Sequence, residues 1–344
     1  MTVEFGLDTF GDITKDAAGG TLTAAETIRN VVAQAQKADE VGLDYFGVGE
    51  HHRREFAISS PEMVLAAIAS TTTRLRLGSA VTVLSSDDPV RVYERFATLD
   101  ALSNGRAEVV VGRGSFTESF PLFGYDLRDY ERLFEEKLDL LVQIMKEKPV
   151  TWHGTMRAPL SDADIFPKTE SGMPLWVGVG GSPESVLRVA RHGAGLMLAI
   201  IGGGAARFRP LVELYHRSVA GFGTTPHPIA VHSPGHIAAT DEEAWDTAYP
   251  GFEAMNNSIG RERGWPQYSR ARFQNEVGPD GALYVGSPER VAQKIADTVR
   301  VLGAGRFDLK YANGELGHEP MMRSIELYGT EVVPRVRALL AKDA

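Results

Sequence analysis

The chain has 344 residues, 43% of them hydrophobic and 24% charged, with a formal net charge of −9 and no cysteine. This is the make-up of an ordinary globular protein with ample core material; the acidic balance argues against nucleic-acid binding, and the lack of cysteine excludes disulfides, thiolate metal sites and a cysteine nucleophile. No apolar run approaches the roughly 18 residues of a membrane span, and the start lacks the basic-then-apolar pattern of a secretory signal, so a cytoplasmic protein without membrane contact is expected.

In chain order, short apolar runs alternate with stretches of helical period. Val3 to Leu7 reads as a strand, and Ala24 to Glu40 as a helix with Ile28, Val31, Val32 and Ala35 on one face. Asp44 to Val48 and Leu75 to Leu84 read as strands, with helices over Pro61 to Thr72 and Pro89 to Leu102. Ala107 to Gly112 is a fourth strand, and Asp129 to Lys146 its helix.

A polar interruption at about 147–172 follows, and then the rhythm resumes. Leu175 to Val179, Gly195 to Ile201, Ile229 to Ala239 and Phe307 to Tyr311 read as strands five to eight. The helices between and after them are expected at Pro183 to His192, 205–220, 241 to about 260, Pro288 to Leu302 and 318–340, with a second irregular segment at 261–286. Eight strand–helix pairs predict an α/β fold, a (β/α)8 barrel as one domain over 1–344, with insertions after strands four and seven. An open doubly wound sheet is the rival, weakened because no Gly-x-Gly-x-x-Gly follows the first strand.

Residues just past the C-terminal ends of barrel strands face the active site. That rule selects Asp8, Glu50, His51, His52, Arg113, the run from Gly180 to Ser185, and the stretch from Asn313 to His318. Histidine is the commonest general acid or base, so His51 and His52 beside Glu50 form a candidate proton-handling cluster; a strand-end histidine bonded to backbone is the plainer alternative. Adjacent histidines on a strand point to opposite faces, which makes a metal site improbable.

Gly180-Gly181-Ser182-Pro183-Glu184-Ser185 joins a strand to a helix. Glycines let backbone approach a ligand, and a helix N-terminus offers free N–H groups, so the segment is a phosphate cradle or a plain N-cap. Val285-Gly286-Ser287-Pro288-Glu289 repeats the pattern and competes with it. Arg113, between Gly112 and Gly114, could give a bidentate contact to phosphate or pair with a surface carboxylate.

Taken together, these positions resemble the bacterial luciferase-like family of flavin-dependent oxidoreductases. The pieces that carry the resemblance run nearly end to end: Gly49-Glu50-His51-His52, then Leu77 to Leu84, Asp88-Pro89-Val90-Arg91, Ala97 to Arg106, Val111 to Gly114 and Phe123-Gly124-Tyr125-Asp126. The resemblance implies FMN at the barrel mouth, with His51 on the family's catalytic histidine and His52 on its neighbour. It places Arg113, Ser182 and Ser185 at the FMN phosphate, with Gly181 where the family has an acidic residue. Ala80-Val81 matches a non-proline cis peptide against which the flavin ring packs. The family's reactive cysteine is replaced by Gly112, and a second phosphate arginine has no clear counterpart.

The function expected is a two-component monooxygenase using reduced FMN and O₂ on a small organic substrate. NAD(P)H would be the ultimate electron donor, through this chain or a separate flavin reductase. His51 would move a proton, oriented by Glu50, and segment 261–286 could close as a lid. Deazaflavin-dependent hydride transfer and non-catalytic flavin binding are the alternatives. A homodimer through helices near strands two and three is expected by resemblance alone.

Overall fold

The computed structural model describes residues 3–16 and 18–342, so the ends of the expected 1–344 span lie outside the described residues. Eight strands form its centre: β1 (Glu4–Thr9), β2 (Tyr45–Val48), β3 (Arg76–Ser79), β4 (Ala107–Gly112), β5 (Leu175–Val179), β6 (Gly195–Ala199), β7 (Ile229–Ile237) and β8 (Ala304–Lys310). Each pairs in parallel with the next, and β8 returns to β1 with Phe307 opposite Phe5, so the ring closes as a (β/α)8 barrel. The expected third strand is interrupted after Ser79, where the Ala80–Val81 peptide is cis, and a two-residue piece (Thr82–Val83) resumes against β4.

Besides a single turn at Ser119–Leu122, the helices are α1 (Ala24–Glu40), α2 (Pro61–Ala69), α3 (Pro89–Ser103), α4 (Tyr130–Ile144), α5 (Pro183–His192), α6 (Arg209–Phe222), α7 (Asp241–Arg263), α8 (Arg270–Val277), α9 (Pro288–Leu302), α10 (His318–Leu327) and α11 (Val333–Ala341). Their ends follow local chemistry. Thr23 and Glu26 make a reciprocal capping box at the start of α1. Asp88 caps α3 ahead of Pro89. The helix expected over Pro61 to Thr72 stops at Ala69, where the Ser70, Thr71 and Thr72 hydroxyls donate to carbonyls of Ala67 and Ile68.

Of the two helices expected between β7 and β8, the one starting at Asp241 is not the one that packs on the barrel core. Its buried residues Ala244, Ala248 and Phe252 pack with Phe273, Val277 and Leu283 in a satellite cluster. The main core instead takes Val291, Ile295, Ala296 and Leu302 of α9. The insertion after β7 is therefore the whole of 241–286, comprising α7, α8 and a short strand (Tyr284–Gly286) on the C-terminal half of β7. The two helices differ in sequence, α9 being strongly amphipathic and α7 only weakly so, but that difference does not name what each packs against. The other insertion, 147–172, lies between α4 and β5 and holds an antiparallel hairpin (Val150–Trp152 with Leu160–Ala163).

The barrel interior is polar at its floor. The buried Arg306 guanidinium lies 3.3 Å from the centre of the Tyr45 ring and pairs with Glu108 and, at 2.9 Å, with Asp308. Buried charges persist only when paired in this way. Burial alone would raise the Glu108 carboxyl, but Arg306 and Arg76 hold it below its usual range. Val110, Trp176, Met197 and Ala230 form an apolar layer against which Val81 packs. This plug is why ligands must enter from the C-terminal mouth.

Candidate active site

The chain leaves β2 at Gly49, where a Cβ would lie 2.5 Å from Phe10 Cδ1 and 2.8 Å from the Ala80 carbonyl. Only glycine fits that crossing. Glu50 then turns inward and is buried. Its carboxylate accepts from the Val83 N–H at 2.8 Å and from His52 Nε2 at 2.8 Å. Glu50 thus ties the β2 loop to the segment after the cis peptide. The expectation that it orients His51 is corrected: its side-chain partner is His52.

His51 sits in an aromatic box. Its ring stacks on Phe56 with centroids 4.4 Å apart, and meets Phe10 at 4.6 Å and Phe116 at 5.3 Å. Among the described residues no side chain hydrogen-bonds its ring, although its backbone N–H donates to the Ile58 carbonyl at 3.0 Å. Burial first, and then the positive charges of Lys310, His52 and Arg53, push its pKa down to about 3. The imidazole is neutral, with its polar edge left for a ligand.

Beside it, Ala80–Val81 is cis as expected. A Cβ on Gly112 would stand 2.6 Å from Val81 Cγ2, and one on Gly178 3.1 Å from Val81 Cγ1. Glycine at 112 is therefore a packing requirement of the valine at 81, which explains why no larger residue occupies that position.

At the other end of the mouth, Ser182 caps α5. Its Oγ accepts from the Ser185 N–H at 3.3 Å and donates to Glu184 Oε2 at 2.7 Å. The Ser185 hydroxyl is buried with no partner. Space around Gly180 and Gly181 is open, since a Cβ on either would touch nothing, and Gly181 holds φ +133. Arg113 lies over the Tyr130 ring at 5.4 Å and pairs with Glu131. Glu131 also accepts from Arg188 at 3.2 Å. The Ser182 hydroxyl bond and its own backbone N–H, and then the charges of Arg113 and Arg188, hold the Glu184 carboxyl below its usual range.

Open space beside Gly180 and Gly181, two arginines and an orphaned buried hydroxyl fit a phosphate. Arg188 was not found from the sequence. It stands three residues after Ser185 on the same helix face, a spacing that could have marked it. The rival motif is closed: Asp241 accepts from the Ser287 N–H at 2.8 Å and from Arg290 at 2.6 Å.

The rest of the mouth is built by β1, β7, β8 and the 241–286 insertion. Lys310 donates to both oxygens of Asp12 at 3.1 Å and lies 4.8 Å from the Phe10 ring. His232 Nδ1 is 2.6 Å from Asp8 Oδ2. Helix α7 roofs a cavity of about 680 Å³, walled by Ile13, Phe56, Met255, Ile259 and the polar Asp12 and Asn257 among others. Arg53 fastens this roof, pairing with Glu262 of α7 at 2.6 Å and with Glu118 of the β4 loop.

Comparison with known proteins agrees with this picture. A family model described as luciferase-like monooxygenase matches residues 9–305. The 4-hydroxyprotoasukamycin monooxygenase of Streptomyces nodosus subsp. asukaensis is 29% identical over 325 residues, covering 89% of this chain and 86% of that protein. Among solved structures, the oxygenating constituent of 3,6-diketocamphane monooxygenase from Pseudomonas putida, in complex with FMN, superposes with a TM-score of 0.76 at 20% identity, covering 98% and 99% of the two chains. The coenzyme F420-dependent tetrahydromethanopterin reductase of Methanopyrus kandleri gives 0.70 at 17% identity, covering 98% and 100%. At those identities the two structures speak for the fold alone.

Proposed function

This chain belongs to the luciferase-like monooxygenase family, and we propose that it is an FMN-dependent monooxygenase acting on a small organic substrate. When bound, reduced FMN supplies the electrons that activate O₂ for insertion of one oxygen atom into the substrate. The observation that carries the choice of an FMN-type phosphate is the buried, unpartnered Ser185 hydroxyl between open Gly180–Gly181 and the arginines Arg113 and Arg188.

In this reading Arg113, Arg188, Ser182 and Ser185 hold the phosphate, with Glu131 displaced from the guanidiniums. Ala80, Val81 and the glycine-cleared wall formed by Gly112 and Gly178 support the flavin ring. His51 faces the reacting atoms as a neutral imidazole, which relays a proton by accepting at one nitrogen while releasing from the other. Glu50 keeps the wall in place through His52 and Val83. Helix α7, latched by Arg53, keeps water away from the chemistry. NAD(P)H is the source of electrons, through this chain or a separate reductase.

The test is anaerobic reduction of the FMN-reconstituted protein followed by mixing with oxygen and a panel of small organic compounds. The reading expects faster flavin reoxidation in the presence of one class of compound, with an oxygenated product. A purified protein carrying a deazaflavin absorption band and refusing FMN would instead favour hydride transfer of the kind suggested by the F420-dependent neighbour.

A further inference from the structure

We propose that Asp8 and His232 form a second proton-handling site in the barrel mouth, with His232 as the general acid–base and Asp8 as its positioning residue. The proposal rests on the flavin-monooxygenase reading for its reaction, but the pair itself is defined by geometry alone. Asp8 is the last but one residue of β1 and His232 lies within β7, so 224 positions of sequence separate two side chains that the closed barrel brings to 2.6 Å.

A carboxylate at Asp8 can only accept, so the pair as proposed carries its proton on Nδ1 and the ring lone pair on Nε2. Among the described residues nothing hydrogen-bonds Nε2, and it is not one of the sealed, unpartnered polar atoms. The side chain keeps 9% of its surface open. Carboxylate, Nδ1–H and a free Nε2 directed to an accessible space are the arrangement that fixes a histidine tautomer for proton transfer.

His232 is also in the right place. Its ring is near-parallel to Phe10 at 6.1 Å, and Phe10 in turn touches the His51 ring, so the two imidazoles flank one phenylalanine. They differ in what they can hold. His51 is surrounded by aromatic rings and faces the positive charges of Lys310 and Arg53, with no carboxylate on its ring. His232 has a carboxylate on its far nitrogen, which stabilises the positive charge that arrives with a proton. In the step assigned to it, Nε2 takes the proton of a hydroxyl or water in the mouth: the N–H bond forms as the O–H bond breaks, and the oxygen keeps the electron pair. The reverse step returns the proton.

The experiment uses full-length protein. In ¹⁵N-histidine NMR of the flavin-free protein, the signal lost in H232Q identifies His232. The expected pattern is the Nδ1–H tautomer, with a change of tautomer in D8N; an Nε2–H tautomer in the wild type would overturn the pair. Stopped-flow mixing of FMN-loaded, reduced protein with oxygenated buffer, in H₂O and in D₂O, reads the role. His232→Gln is expected to slow the return of oxidised FMN absorbance about 100-fold and to abolish its solvent isotope effect. Affinity for oxidised FMN should stay within about twofold, because the phosphate end is untouched. An unchanged rate and isotope effect in an FMN-binding H232Q protein would overturn the catalytic role. A wild-type protein that takes up no FMN would sink the monooxygenase reading and this role with it, while the tautomer would still report whether the pair exists.

Discussion

The sequence Gly-Ser-Pro-Glu occurs twice, at 181–184 and at 286–289, each time between a strand and a helix, and the two copies meet opposite fates. In the first, the space beside Gly180 and Gly181 is open, Ser185 keeps an unpartnered hydroxyl, and Arg113 and Arg188 share Glu131. In the second, Asp241 reaches across from the start of α7 and takes up both the Ser287 N–H and the Arg290 guanidinium. Local sequence builds the same cap in both places. What decides between a ligand site and a structural joint is the charge that the rest of the fold brings to it: cations at the first copy, a carboxylate at the second.

The contrast can be broken by mutation, starting with its strongest element. Arg113→Ala removes a charged donor from the open copy; FMN affinity should fall about 30-fold, equivalent to roughly 2 kcal/mol, in a fluorescence titration. Ser185→Ala should weaken FMN about fivefold, near 1 kcal/mol, without lowering the melting temperature of the flavin-free protein, since its Oγ has no partner to lose. A drop in melting temperature with no loss of affinity would mean that the hydroxyl serves the fold. Glu131→Gln acts in the opposite direction: with this carboxylate gone from Arg113, while Glu135 still pairs with Arg188, FMN should bind a few-fold more tightly.

The smallest effect on flavin belongs to the closed copy. Asp241→Asn should leave FMN affinity unchanged and cost about 1 kcal/mol of stability at neutral pH. Burial pushes the Asp241 carboxyl up, but the Ser287 N–H and Arg290 outweigh it and hold it below its usual 3.8. A carboxyl depressed in the fold contributes stability above its unfolded value and loses it as pH falls through the folded one. Urea melts of wild type and D241N should therefore converge as pH drops below 3.8. A gap that persists in acid would show that the capping bond is not the source of the difference.

The same contrast marks where sequence reading stops. All eight barrel strands were legible because each is a short apolar run between turn signals, and the mouth-facing His51, Arg113 and Ser182 followed from the rule about strand ends. The role of Asp241 was not legible, because it acts on Ser287 from 46 positions away. Nor could the period of residues 241–260 reveal that this helix packs on its own satellite cluster while α9 covers the barrel. Glu50 looked like the partner of the neighbouring His51, yet the turn after β2 sends its carboxylate to His52 and Val83. Asp8 with His232 is the extreme case, a pair made only by ring closure. In each instance the missing information is long-range contact, which no local pattern encodes.

The central claim, that the flavin phosphate rests on the first copy, is tested most directly by titrating FMN and riboflavin into the wild type, R113A and R290A. Riboflavin has the same ring and lacks only the phosphate, so the affinity ratio isolates that end of the site. The account predicts that the wild type and R290A prefer FMN by about 30-fold or more and that R113A loses most of the preference. Equal binding of the two flavins by the wild type, or a preference that survives R113A and disappears in R290A, would contradict it.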